Sequence, residues 1–98
     1  MTTWTKEGGW TSAANGTHLV GYIATTYADL VETFGTPTFA DAGDKVTCEW
    51  VLVFDDGMVA TIYDYKQYAT PYGMYQWHIG GHDSAAAERV HQAMKKGV

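Results

Sequence analysis

Few side chains in this sequence could do chemistry. His78 and His82 are its closest pair of imidazoles, Cys48 is its one thiol, and His82-Asp83-Ser84 holds the three side-chain types of a base, an orienter and a nucleophile. Each has a plainer reading. His78 and His82 straddle Gly80-Gly81, so no single strand or helix holds them together, and a metal needs three or four converging ligands. No metal and no cofactor is expected. Cys48 lies in a run of strand formers, where a free cysteine ordinarily serves as a small buried hydrophobe. Residues adjacent in sequence cannot aim at one another as a triad, so Asp83 or Ser84 reads as a helix cap. Glu49 and Asp64 would form an acid–base pair only by sharing a face of a sheet. No catalytic residue is assigned.

The stretch from Trp77 to Ser84, WHIGGHDS, has more to offer a ligand. A strand that passes through two glycines into a helix start presents unpaired backbone N–H groups to an anion, and glycine lets a ligand approach the backbone. Gly80 and Gly81 lack the fuller phosphate-loop pattern, and an Asp83 cap would occupy the same amides. A plain strand-to-helix turn explains them too. A nucleotide bound there would stack its base on Trp77 or Tyr65 and meet Lys66, His82 or Arg89 with its phosphates. The candidate ligand residues are therefore Tyr65, Lys66, Trp77, His78, Gly80, Gly81, His82 and Arg89, with Trp77 as a core residue the competing reading.

The elements that must position these residues centre on Lys45 to Lys66, KVTCEWVLVFDDGMVATIYDYK. Two runs of β-branched and aromatic residues flank Asp55-Asp56-Gly57, the pattern of a β-hairpin. A two-residue turn would set Glu49 opposite Asp64, like charge against like. A three-residue loop with Gly57 in the left-handed position pairs Phe54 with Met58 instead, and is preferred. It gathers Trp50, Leu52, Phe54, Met58, Ala60 and Ile62 on one apolar face. Val51, Val53, Val59 and Tyr63 fall on the other, which is too apolar to stand in water. These four residues are the expected interface of a homodimer.

His18 to Ala24 reads as a strand buried on both faces. Thr26 and Asp29 then form a capping box, Tyr27, Leu30, Val31 and Phe34 make one helical stripe, and Gly35 with Pro37 ends it. Met74 to Ile79 is a third meander strand, with Trp77 and Ile79 on one side and His78 on the other, broken by Gly80-Gly81. A final helix carries Ala86, Val90, Ala93 and Met94 inward. Residues 1 to 17, with Trp4 and Trp10, read as an irregular arm or an edge strand whose tryptophans need cover, ending at an Asn15-Gly16 turn. The predicted order β-α-β-β-β-α is an α+β fold, an antiparallel β-meander sheet with two helices packed on one face, in a single domain over 1–98.

Composition narrows the function classes. Hydrophobic residues make up 46% and charged residues 17%, so the chain should fold. A net charge of −5 opposes generic binding to nucleic acid. No apolar run reaches the roughly 18 residues of a membrane span, and MTTWTKEGGW lacks the pattern of a secretory signal, so no membrane partner and a cytoplasmic location are expected.

The combination of HLVGYI, TYADLVETFGTP, EWVLVFDDGMVATIYDYK and WHIGGHD resembles a family of small phage-encoded proteins that share the FG-x-P helix exit, a tryptophan in the first hairpin strand, DDG-x-VATIY and W-x-IGG. The resemblance runs from His18 into the final helix. It implies a phage accessory protein acting in the bacterial host cytosol, and it transfers no catalytic residue. Proteins of this kind often counter host defence by sequestering a signalling nucleotide or occluding a host protein, so a non-enzymatic binding protein is the expectation. The alternative is a small hydrolase using His78 and His82.

Overall fold

The computed structural model describes residues 4–6, 16–40, 46–54, 56–67 and 69–96. In chain order the elements are β1 (Trp4–Lys6), β2 (His18–Thr25), α1 (Tyr27–Phe34), β3 (Phe39–Ala40), β4 (Cys48–Phe54), β5 (Val59–Tyr63), β6 (Tyr75–Gly81) and α2 (Ala85–Lys96). The strands form one antiparallel sheet in the order β1-β4-β5-β6-β2, with β3 also on β4. This is the α+β class read from the sequence. Two short strands are added at the β4 edge, where β1 pairs with Leu52 to Phe54 and β3 with Cys48 and Glu49.

The hairpin takes the three-residue register. Trp50 pairs with Ile62, Leu52 with Ala60 and Val53 with Val59, and the Phe54 amide donates to the Met58 carbonyl at 2.8 Å. Gly57 sits at φ 86° and donates to the Phe54 carbonyl, the left-handed position at which a Cβ would be strained. Asp55 is outside the described residues. The even-numbered hairpin residues join Ile23, Trp77 and Ile79 in the core, under Leu30 and Phe34 of α1 and Ala86, Val90 and Ala93 of α2. Both helices therefore cover the same face.

Trp50 and Trp77 anchor that core. Both are fully buried, edge to face at 5.6 Å, and each indole N–H donates to a carbonyl, Trp50 to Gly35 and Trp77 to Thr25. Buried indoles need such partners, and these two bonds tie the sheet to both ends of α1. At the start of α1 the Thr26 hydroxyl accepts the Asp29 amide at 3.1 Å, one of the two bonds of the expected capping box, and at its end the Gly35 amide donates to the Val31 carbonyl. At α2 the Asp83 carboxylate accepts the Ala85 amide.

Three expectations need correction. Among the described residues β2 is an edge strand paired only with β6, and its Leu19 and Tyr22 are 44% exposed, so one face is open. A bulge between Leu19 and Gly21 shifts its alternation. Gly80 and Gly81 do not break β6 but complete it. They are glycines because neighbours crowd them: a Cβ on Gly80 would strike the Thr61 hydroxyl, and one on Gly81 would lie 2.6 Å from the Ala86 methyl. Val51 is fully buried within the chain, so it offers nothing to a second copy, whereas Val53, Val59 and Tyr63 are half-buried. The cover expected for Trp10, the Trp4 side chain and Asn15 lie outside the described residues. No helix among those residues is long and apolar enough to cross a membrane.

Candidate functional site

The face of the sheet away from the helices carries one continuous cross-strand row. Tyr22 pairs with His78, His78 with Tyr63, Tyr63 with Glu49 and Glu49 with Phe39. Side chains directly opposite on neighbouring strands stand close enough to interact, and His78 becomes the centre of a tyrosine cluster. The Tyr63 ring stacks on it at 5.4 Å and 24°, Tyr22 meets it edge-on at 5.1 Å, Tyr65 is tilted at 5.6 Å and Tyr75 lies at 6.5 Å. Gly80 follows His78 on this face, and its missing Cβ leaves room for Thr61 and the edge of Tyr63.

Tyr22 and Tyr65 are the open members, 44% and 38% exposed. The Lys66 ammonium lies 5.4 Å from the Tyr65 ring centroid. Its backbone has φ 56°, an uncommon conformation for a residue with a Cβ. Burial pushes Glu49 above the ordinary carboxylate value. Burial first, and then Glu49, raises the Tyr63 phenol. The cluster thus combines flat aromatic surface with the exposed cation of Lys66.

Among the described residues, His78 Nδ1 is buried without a hydrogen-bond partner. Burial lowers the His78 pKa below the ordinary 6.5, and Asp64 pulls it the other way. The neutral ring is therefore favoured in the fold. A base depressed in this way contributes stability that is present above its unfolded value and lost as pH falls through the folded one. The melting temperature should consequently drop more for the wild-type chain than for His78→Gln between about pH 7.5 and about pH 5.5, the range over which imidazoles titrate. Parallel profiles for the two proteins would exclude His78 as the titrating group.

The structure brings Tyr65, Lys66, His78 and Gly80 together from the expected ligand set, and adds Tyr22 and Tyr63. It removes the others from that face. Trp77 is wholly core. Gly81 faces Ala86 on the helix side. His82 lies beyond the strand against Gly16, on the order of 13 Å along the chain from His78 at about 3.3 Å per residue. Arg89 is on α2, paired with Asp56 at the hairpin tip and lying over the Phe54 ring. His78 and His82 therefore do not converge. Among the described residues no group of three or more His, Cys, Asp and Glu side chains could hold a metal ion.

Two features escaped sequence reasoning. Asp64 is fully buried and accepts the Thr47 amide at 2.8 Å, the Thr47 hydroxyl at 2.6 Å and the Cys48 amide at 3.2 Å. Beside this clasp opens a recess of about 330 Å³ bounded by Tyr27, Thr47, Cys48, Thr70 and Tyr72. Cys48 is only 2% exposed, and burial, reinforced by the Asp64 charge, pushes its thiol up to about 11. Such a thiol is protonated at neutral pH and is no nucleophile.

Comparison of the chain with models of protein families, with curated proteins and with solved structures finds no match in any of the three.

Proposed function

We propose that this chain is a non-enzymatic binding protein that sequesters a nucleotide-like ligand on its tyrosine-lined sheet face. The observation that carries the reading is the row centred on His78, with Tyr22 and Tyr65 open to solvent on either side and Lys66 beside Tyr65. Aromatic side chains on an open sheet stack planar bases at about 1–3 kcal/mol each. A single lysine suits one phosphate, while the net charge of −5 disfavours a long polyanion. In the tautomer that carries its proton on Nε2, the unpaired His78 Nδ1 is an acceptor for a ligand N–H.

The motif resemblance supports a phage accessory role in the host cytosol, countering defence by removing a signal. Val53, Val59 and Tyr63 on the same face suit association of two copies, which the mass in solution tests. A hydrolase built on His78 and His82 is disfavoured by their separation.

The experiment is to incubate the purified protein with cyclic and ADP-ribose-derived nucleotides, denature it and identify what is released. Intact nucleotide retained by the wild type, and reduced about tenfold or more by Tyr65→Ala or Lys66→Ala, supports the reading. Altered nucleotide would show an enzyme, and no retention would transfer the face to a host protein.

A further inference from the structure

We infer that the recess beside the start of α1 is a second binding site, one that takes a primary alkylammonium group. Its occupant follows from counting hydrogen-bond donors. Thr47 has one hydroxyl proton, and that proton is spent on the Asp64 carboxylate at 2.6 Å. The 2.7 Å contact between the Thr47 and Thr70 hydroxyls must then be donated by Thr70. With its own proton committed, Thr70 Oγ1 has only lone pairs to offer, shared between the recess and the neighbouring Cys48 thiol. The chain of bonds runs from Thr70 through Thr47 to a buried negative charge, so each hydroxyl dipole turns its oxygen outward.

The rest of the lining agrees. Cys48 presents a neutral thiol, a weak donor, Tyr27 and Tyr72 add phenol hydroxyls that can donate or accept, and among the described residues no Lys, Arg or His bounds the recess. Tyr27 and Tyr72, both in the lining, stand edge to face with ring centroids 4.8 Å apart and planes at 70°, and a tyrosine ring attracts a cation wherever a face is left open. Tyr72 is 67% exposed, which leaves the entrance open. On the threonine side an anion would meet lone pairs backed by a carboxylate, with the thiol and the two phenols as the side-chain donors left to it among the described lining residues. An alkylammonium would place its N–H donors on Thr70, the outer end of the chain of hydroxyls that leads to Asp64, and its stem along Tyr27 and Pro37. At about 330 Å³ the recess is at the small end of ligand sites, suited to such a group and not to a whole nucleotide. Among the described residues it shares no lining residue with the face centred on His78, so either site can fail without the other.

The chemistry is common to free amines and to lysine side chains, and the test separates them. Amide signals of the labelled protein are followed during titration with n-butylammonium, with n-butanol and butyrate as size-matched controls, and with Nα-acetyl-lysine amide. Saturable shifts at Thr47, Cys48 and Thr70 with butylammonium alone among the first three support the site. The tighter of butylammonium and the lysine derivative identifies the source. Thr70→Val, which leaves the Thr47–Asp64 bond in place, should weaken binding about tenfold. Tyr72→Leu, at an exposed position, should weaken it by a few-fold. Equal binding of butanol, no saturable shift with either amine, or affinity unchanged in both variants would overturn the inference.

Discussion

Replacing Asp64 by alanine should destabilise the fold by about 3 kcal/mol, measured by urea unfolding at neutral pH. The carboxylate is fully buried and receives two backbone amides and one hydroxyl from the strand start opposite. Removing it strands three donors, each worth roughly 1–3 kcal/mol when left unpaired, with water from the adjoining recess recovering part of the loss. Asp64→Asn should cost about half as much, since the amide keeps one acceptor and the Thr47 hydroxyl can turn. The mechanism also predicts strong coupling: in a Thr47→Val/Asp64→Ala double-mutant cycle the combined loss should fall short of the sum by about 1 kcal/mol or more. An Asp64→Ala protein within 1 kcal/mol of wild type would show that the clasp contributes little.

Asp64 also shows where sequence reading stops. In IYDYK it looks like a solubilising charge at a strand end, and its partners lie 16 and 17 residues earlier, beyond any local pattern. The hairpin register was legible because two local rules agreed on it: glycine at the left-handed position, and like charges kept from facing each other. Alternation likewise placed Trp77 and Ile79 on one face of β6 and His78 on the other, as found. The site was only half legible. Tyr63, Tyr65 and His78 could be assigned to faces from their own strands, but Tyr22 joins them only because β2 pairs with β6 across more than 50 residues of chain. The recess was not legible at all, since it needs α1, the start of β4 and the loop at Thr70 and Tyr72 to meet.

The two glycines that read as a strand break give the other large effect. Gly81→Ala should cost about 3 kcal/mol, because the new methyl would sit 2.6 Å from the Ala86 Cβ and 3.3 Å from the Asp83 and Val59 carbonyl oxygens. None of these atoms ends a flexible side chain, so α2 itself must lift from the sheet. That lift would open the packing of Val90 and Ala93, which the helix buries in the core. Ala86→Gly should restore part of the loss in the Gly81→Ala background, although glycine near the helix start costs up to about 1 kcal/mol alone. The residual deficit reports the two carbonyls. Gly73→Ala is the control: a Cβ there meets nothing within 4 Å, so its stability should stay within about 0.5 kcal/mol of wild type. If Gly81→Ala matched Gly73→Ala, close packing of α2 would not be the reason for glycine at the end of β6. If Ala86→Gly failed to rescue, the clash would lie with the strand and turn backbone and not with the helix.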